Sequence, residues 1–253
     1  MAVVSPRQVT SGYYRNNLYV LLGLNVLAAL VAWATPELAP VRWVAVVAAA
    51  VSYLGAVTWL YEKPRAGLAA LALVAAAALA GAWLAMPTDG PAVDPTITSP
   101  ASTGPPSTDS ASAVSVVLRR LDPVTSGLLL GVTMAAMLLG HWYLNSPGMP
   151  LAPLKRLVLL LAAAVLLRAV LCGSGLALEL SAVHSLSTGR WLFLALRWLG
   201  GLVGTGVLAI LAWKTLAIPN TQSATGILYV AVITVFLGEL VSLLLSAEAL
   251  YPL

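Results

Sequence analysis

Seven stretches of this 253-residue chain are apolar for long enough to cross a lipid bilayer, and no other property limits its fold as strongly. They cover approximately residues 17–35, 41–61, 66–86, 124–144, 155–180, 190–213 and 224–246. A hydrocarbon layer about 30 Å thick takes roughly 20 residues of helix. Backbone amides inside lipid must bond within the protein, so such runs form helices unless they alternate as barrel strands do, and these do not. Composition agrees, since 60% of the residues are hydrophobic and 9% charged, against about 25% charged in soluble domains. The predicted fold is an all-α integral membrane protein with seven transmembrane helices. Prolines such as Pro36, Pro64, Pro87, Pro123, Pro153 and Pro219 punctuate the runs, each disfavouring helix in the residue before it.

Basic residues sort the loops into two sides. Arg7, Arg15, Lys63, Arg65, Lys155, Arg156 and Lys214 share the side of the N-terminus, with Arg42, Arg119, Arg120 and Arg190 opposite. Short basic loops stay in the cytoplasm, so the N-terminus is expected to be cytoplasmic and the C-terminus external. The chain then divides into a three-helix part over residues 1–86, a Pro/Ser/Thr-rich external loop over 87–123, and a four-helix part over 124–253. The loop is too polar to build a core and is expected to be disordered, apart from a short amphipathic helix around 113–121. Ala32, Trp33 and Ala34 form a small-x-small site, but the apolar run before it exceeds the roughly 7 to 15 residues of a signal peptide, so the first helix is expected to remain. Ten Arg against three Lys, with abundant Ala and Leu, suit a GC-rich bacterial genome, and the expected location is a bacterial plasma (inner) membrane, multi-pass.

Ionisable groups inside such runs are costly and point to function or packing. The four-helix part holds Arg168, Glu179, Arg197 and Glu239. Counting rise per residue from the cytoplasmic edge puts Arg168, Glu239 and Arg197 roughly 17, 20 and 21 Å deep, on three consecutive helices. Faces agree with depths. Arg168, Cys172, Gly175 and Glu179 make one stripe, Arg190, Arg197, Gly201 and Gly204 a second, and Thr225, Glu239 and Ser246 a third. A buried polar site of Arg168, Arg197, Glu239 and Glu179 is therefore expected, with His184 and Arg190 as an outer gate. Two arginines facing one central carboxylate leave room for an anion, a quinone carbonyl or a proton-exchanging group. The same residues could equally serve as structural counter-ions that hold three helices in register. Gly200 with Gly204, and Gly127 with Gly131, have the spacing of close helix crossings.

Other chemistry is poorly provided for. His141 and His184 are the only histidines and should lie near opposite membrane faces, so a self-contained bis-histidine haem is not expected. His141 remains a weak candidate for a haem ligand completed by another subunit, although with Trp142 and Tyr143 it better fits an interfacial belt. Cys172 is the sole cysteine, which removes an intrachain disulfide and a cysteine zinc site. In Cys172, Gly173, Ser174, Gly175 the cysteine stands where the Gly-x-Ser nucleophile motif of an intramembrane serine protease has its glycine, no downstream membrane run offers Ser174 a histidine base at matching depth, and no phosphate loop or zinc-protease motif occurs. The polar stretch before the last run offers Asn220, Thr221 or Ser223 as an N-cap. With Lys214, Thr221, Gln222 and Ser223 it could alternatively form a cytoplasmic lip for an anionic group or quinone head.

These features suit a polytopic membrane subunit of a redox or proton-handling, quinone-interacting complex, whose partners are the lipid bilayer and other membrane or redox subunits. A small transporter or lipid-handling protein that binds an anionic solute is one alternative, and a noncatalytic assembly subunit is another. Quinone is the one cofactor with a foothold in the sequence, and no metal is expected. The net charge of +4 sits at the ends of apolar runs, so nucleic acid is not an expected partner.

Overall fold

The computed structural model describes residues 4–85, 109–146, 148–182, 187–218, 220–247, 249 and 251–253. Among these every regular element is helical, and seven helices are long and apolar enough to span a membrane. We number them α1 (Ser11–Ala34), α2 (Val41–Leu60), α3 (Pro64–Leu84), α4 (Asp109–Asn145), α5 (Ala152–Ala182), α6 (Thr188–Ala217) and α7 (Thr221–Ala247). Leucines, valines and isoleucines along the seven helices stay exposed, Leu30, Leu166 and Ile233 among them. A soluble protein would bury such surface, whereas lipid solvates it.

Two bundles meet at α4. The first is α1 to α3, tightened where Gly55 lies against Ala70 and Leu18 and where Gly67 admits the Trp59 indole. The second is α4 to α7. Both share one core, in which Tyr13, Tyr14, Leu18, Ala56 and Trp59 of the first pack with Leu129, Leu139, Leu157, Leu161 and Leu228 of the second. Tyr14 stacks on Trp59 at 4.2 Å between ring centroids. The Tyr13 hydroxyl donates to the Ala135 carbonyl at 3.1 Å, and the Trp142 indole to Thr10 Oγ1 at 2.6 Å. These bonds fasten the start of α1 to the end of α4. At the opposite face the Arg120 guanidinium lies 4.4 Å over the Trp83 ring, in the last turn of α3.

The fourth helix departs from expectation. It begins at Asp109, takes in the short helix expected around 113–121 and runs straight through Pro123. Of the expected external loop, residues 109–123 are therefore helical, and 86–108 lie outside the described residues. A proline inside a helix removes one amide donor and crowds the carbonyl four residues back. Here the polar groups of that turn find other partners. Thr125 Oγ1 donates to the carbonyls of Leu121 at 3.0 Å and Asp122 at 3.1 Å, and a side chain of α5 bonds to the Asp122 carbonyl as well.

The sixth helix also departs from regular form, being π-helical over Leu196–Gly204. Each π turn is wider than an α turn, and such segments frequently mark functional sites. At Gly201 it crosses α7 at Gly238 so closely that a Cβ on either would stand 2.6 to 2.7 Å from the other's Cα. Gly127 and Gly131, by contrast, have nothing within 4 Å of a notional Cβ, and Gly200 and Gly204 face only their own helix. The close crossing is thus Gly201 on Gly238, and neither of the two glycine pairs with helix-crossing spacing makes one.

Candidate functional site

Four helices bring ionisable groups to one point. On α5 the stripe of Arg168, Cys172, Gly175 and Glu179 is buried along its whole length, which confirms the face read from spacing. Arg168 is 1% exposed. Its guanidinium grips Glu239 of α7 with two bonds, Nε to Oε1 at 3.2 Å and Nη2 to Oε2 at 2.7 Å. Such paired, planar contacts are the strong form of an arginine–carboxylate interaction. Nη1 donates to Asp122 of α4, at 2.6 Å to Oδ1 and 3.2 Å to the carbonyl, and to Thr125 Oγ1 at 3.1 Å. Nη2 also reaches Ser242 Oγ at 3.4 Å. Every nitrogen of Arg168 therefore has a partner, as a fully buried guanidinium requires.

Arg197 approaches from the π-helical turn of α6 and is equally buried. Its Nη2 lies 3.2 Å from Glu239 Oε1 and 3.4 Å from Cys172 Sγ, while its Nε has no hydrogen-bond partner among the described residues. Glu239 thus takes both guanidiniums on one carboxylate. Below it, Thr205 Oγ1 donates to the Gly201 carbonyl and meets Thr234 Oγ1 at 3.0 Å, a second polar tie between α6 and α7.

The network is balanced, because Asp122 joins Glu239 in facing the two arginines. The expected surplus of positive charge does not exist at this site. Asp122 escapes a sequence reading because Pro123 marks a helix start there, which leaves its neighbour in a loop. A signal was nonetheless present. Asp122, Thr125, Leu129, Thr133, Ala136 and Gly140 recur at three- and four-residue intervals, and this inward face stays in phase through the proline. Ser242, three residues after Glu239, was also missed; nothing about a serine in an apolar run identifies its partner.

The remaining predicted residues are distributed elsewhere. Glu179 sits roughly 16 Å along α5 from Arg168 and pairs with Arg190 at 3.7 Å, so it forms a second ion pair toward the face that also holds Arg120 and Trp83. His184 lies outside the described residues. His141 Nδ1 is 3.3 Å from the Tyr229 hydroxyl of α7, with the two rings edge to face. Of the expected aromatic belt, Tyr143 is buried instead and its hydroxyl donates to the Pro150 carbonyl. Asn220 proves to be the cap of α7, its Oδ1 accepting from the Ser223 amide at 3.0 Å. Lys214, Gln222 and Ser223 are exposed near it and Thr221 partly so. No group of three or more His, Cys, Asp and Glu side chains suited to a metal occurs among the described residues.

Beside the network, α4 and α5 part to leave an apolar groove of about 410 Å³, lined by Gly127, Leu128, Gly131, Ala164 and Leu167 among others. No known protein family, characterised protein or solved structure matches this chain.

Proposed function

We propose that this chain is a membrane subunit of a redox or proton-handling complex, in which the buried network carries charge-coupled events between an aqueous face and the bundle interior. Continuity is the observation that carries this reading. Asp122, Arg168, Glu239 and Arg197 form an unbroken series of ion pairs, from a carboxylate 17% exposed on one side to a guanidinium 1% exposed on the other. Asp122 is two residues from Arg120, which lies over Trp83 at the end of α3, so the series starts close to one membrane face. Ionisable groups within a membrane mark ion and proton pathways, and in this series the carboxylates of Asp122 and Glu239 are the groups able to exchange a proton, while the arginines hold them in place. The neighbouring groove would accommodate the tail of a quinone. Cytoplasmic placement of the N-terminus, in a bacterial inner membrane, belongs to the same proposal and rests on the distribution of Lys and Arg.

The second reading is a noncatalytic assembly subunit, and the complete bonding of Arg168 favours it, since a charge-balanced network can serve purely to lock helices. The anionic-solute alternative rested on an uncompensated arginine, which Asp122 compensates. Native mass spectrometry of the protein extracted from its own membrane in mild detergent tests the proposal. A defined complex containing a redox-active subunit is expected, and Glu239→Gln should leave that complex assembled while lowering quinone-linked turnover at least tenfold. A lone chain or a homo-oligomer without retained cofactor would sink the redox reading. Loss of the complex in Glu239→Gln would favour the assembly role.

A further inference from the structure

After α7 the chain turns back into the bundle. Ala249 and Leu253 are buried, at 6% and 1% exposure, and Pro252 is buried between them and α5. The place they fill fits main chain closely. Pro252 presents its carbonyl oxygen where any side chain at position 175 would stand, so only glycine there admits it. Polar bonds hold the segment at three points. Arg119 Nη2 of α4 donates to the Ala249 carbonyl at 2.9 Å, the Leu253 amide donates to Ser246 Oγ at 3.0 Å, and Ser242 Oγ donates to the Leu253 carbonyl. Ser242 is also the hydroxyl that Arg168 Nη2 reaches, so the segment is bonded to the ion network through one shared side chain.

Its apolar support is local. Leu253 and Ala249 pack with Leu194, Val241 and Leu245, and with Leu176 and Trp198, in a small cluster separate from the main core. A unit with its own few contacts can open without the rest of the fold. On the same buried face of α5, one turn before the Gly175 that Pro252 meets, lies Cys172, with no exposed surface and 3.4 Å from Arg197. We propose that Ala249, Pro252 and Leu253 form a displaceable latch, which seals the Arg168–Glu239–Arg197 network from the adjacent aqueous face and whose release opens a water path to it. This holds whether the network handles protons or only holds helices together. An event at the network that alters the Arg168 contact to Ser242 is felt at the latch through the same hydroxyl.

Cys172 is the only thiol in the chain and therefore a built-in reporter. A buried thiol is inert until something uncovers it. The test is the rate of Cys172 modification, followed by mass spectrometry in lipid nanodiscs, with a charged methanethiosulfonate and with neutral N-ethylmaleimide. Two variants displace the latch without touching an ion pair: Leu253→Asp, which puts a charge into the small cluster, and Gly175→Ala, which claims the space of the Pro252 carbonyl. Both should raise the rate with the charged reagent at least tenfold while helicity and cooperative unfolding persist. Hydrogen exchange in the unmodified protein should show faster exchange at Leu253 than across Glu239 to Leu245. Unchanged modification in folded variants would overturn the proposal. So would reaction with the neutral reagent alone, which places the access route in lipid, or uncovering of Cys172 only on global unfolding.

Discussion

At the scale of single residues, Glu239 is the member on which the others depend. Two guanidiniums share its carboxylate, and neither Arg168 nor Arg197 is exposed to water. Burying ions costs more than their attraction returns unless the geometry is good, but removing one partner strands the other. Glu239→Gln should therefore destabilise the folded protein by about 3 to 5 kcal/mol in denaturant unfolding, and Asp122→Asn by less, because Asp122 is partly exposed and water can take over some of its role. The pair Arg168→Leu with Glu239→Leu should cost less than the sum of the single changes, by about 0.5 to 3 kcal/mol, since each single change breaks the Arg168–Glu239 contact and the double variant loses it only once, while Arg197 and Asp122 lose a partner in either case. Additive costs would mean that the pair does not interact as its geometry indicates.

Among helices, contact depends on which glycine faces which backbone. Gly201 and Gly238 meet Cα to Cα, so a methyl group on either must push α6 and α7 apart. Gly238→Ala should cost about 1 to 3 kcal/mol, toward the upper end because backbone cannot step aside as a side chain can. It should also weaken the reach of Arg197, whose Nη1 lies 3.3 Å from the same point. Gly131→Ala has open space instead and should be neutral or stabilising by up to about 1 kcal/mol, from helix propensity alone. Thermal unfolding of the two variants side by side distinguishes a crossing from an open groove. The unbroken course of α4 is a matter of the same scale. Next to Pro123 the Thr125 hydroxyl bonds the Leu121 and Asp122 carbonyls and the Arg168 guanidinium the Asp122 carbonyl, which ties this turn of α4 to α5.

For the whole molecule, the question is how two bundles stay together. They share one continuous core, but among the described residues the polar ties between them are few: Tyr13 to the Ala135 carbonyl and Trp142 to Thr10 at one face, and Arg120 over Trp83 at the other. Tyr13→Phe keeps the ring and leaves the core packed, so its cost should be limited to one buried hydrogen bond, about 1 kcal/mol. Hydrogen exchange should then increase at the α1–α4 junction while the ion network keeps its protection. A matching rise at Arg168 and Glu239 would show that the two bundles open as one unit.

The sequence alone determined the solvent of this protein and the number of its membrane helices, because both depend on the length of apolar runs, which is a local property. Periodicity within single helices also identified Arg168, Arg197 and Glu239 as inward-facing, since any group at that depth must turn from lipid. What only the tertiary structure decided was pairing. Glu179 shares the stripe of Arg168 but pairs with Arg190, a helix away and nearer one face. Asp122 belongs to the network although a proline follows it, because α4 continues through Pro123 and carries Asp122 to Arg168. The packing of Ala249, Pro252 and Leu253 against the bundle has no periodic signature at all. Its place follows from Gly175, Ser242, Ser246 and Arg119, which three different helices bring within reach and which no single stretch of chain could show together.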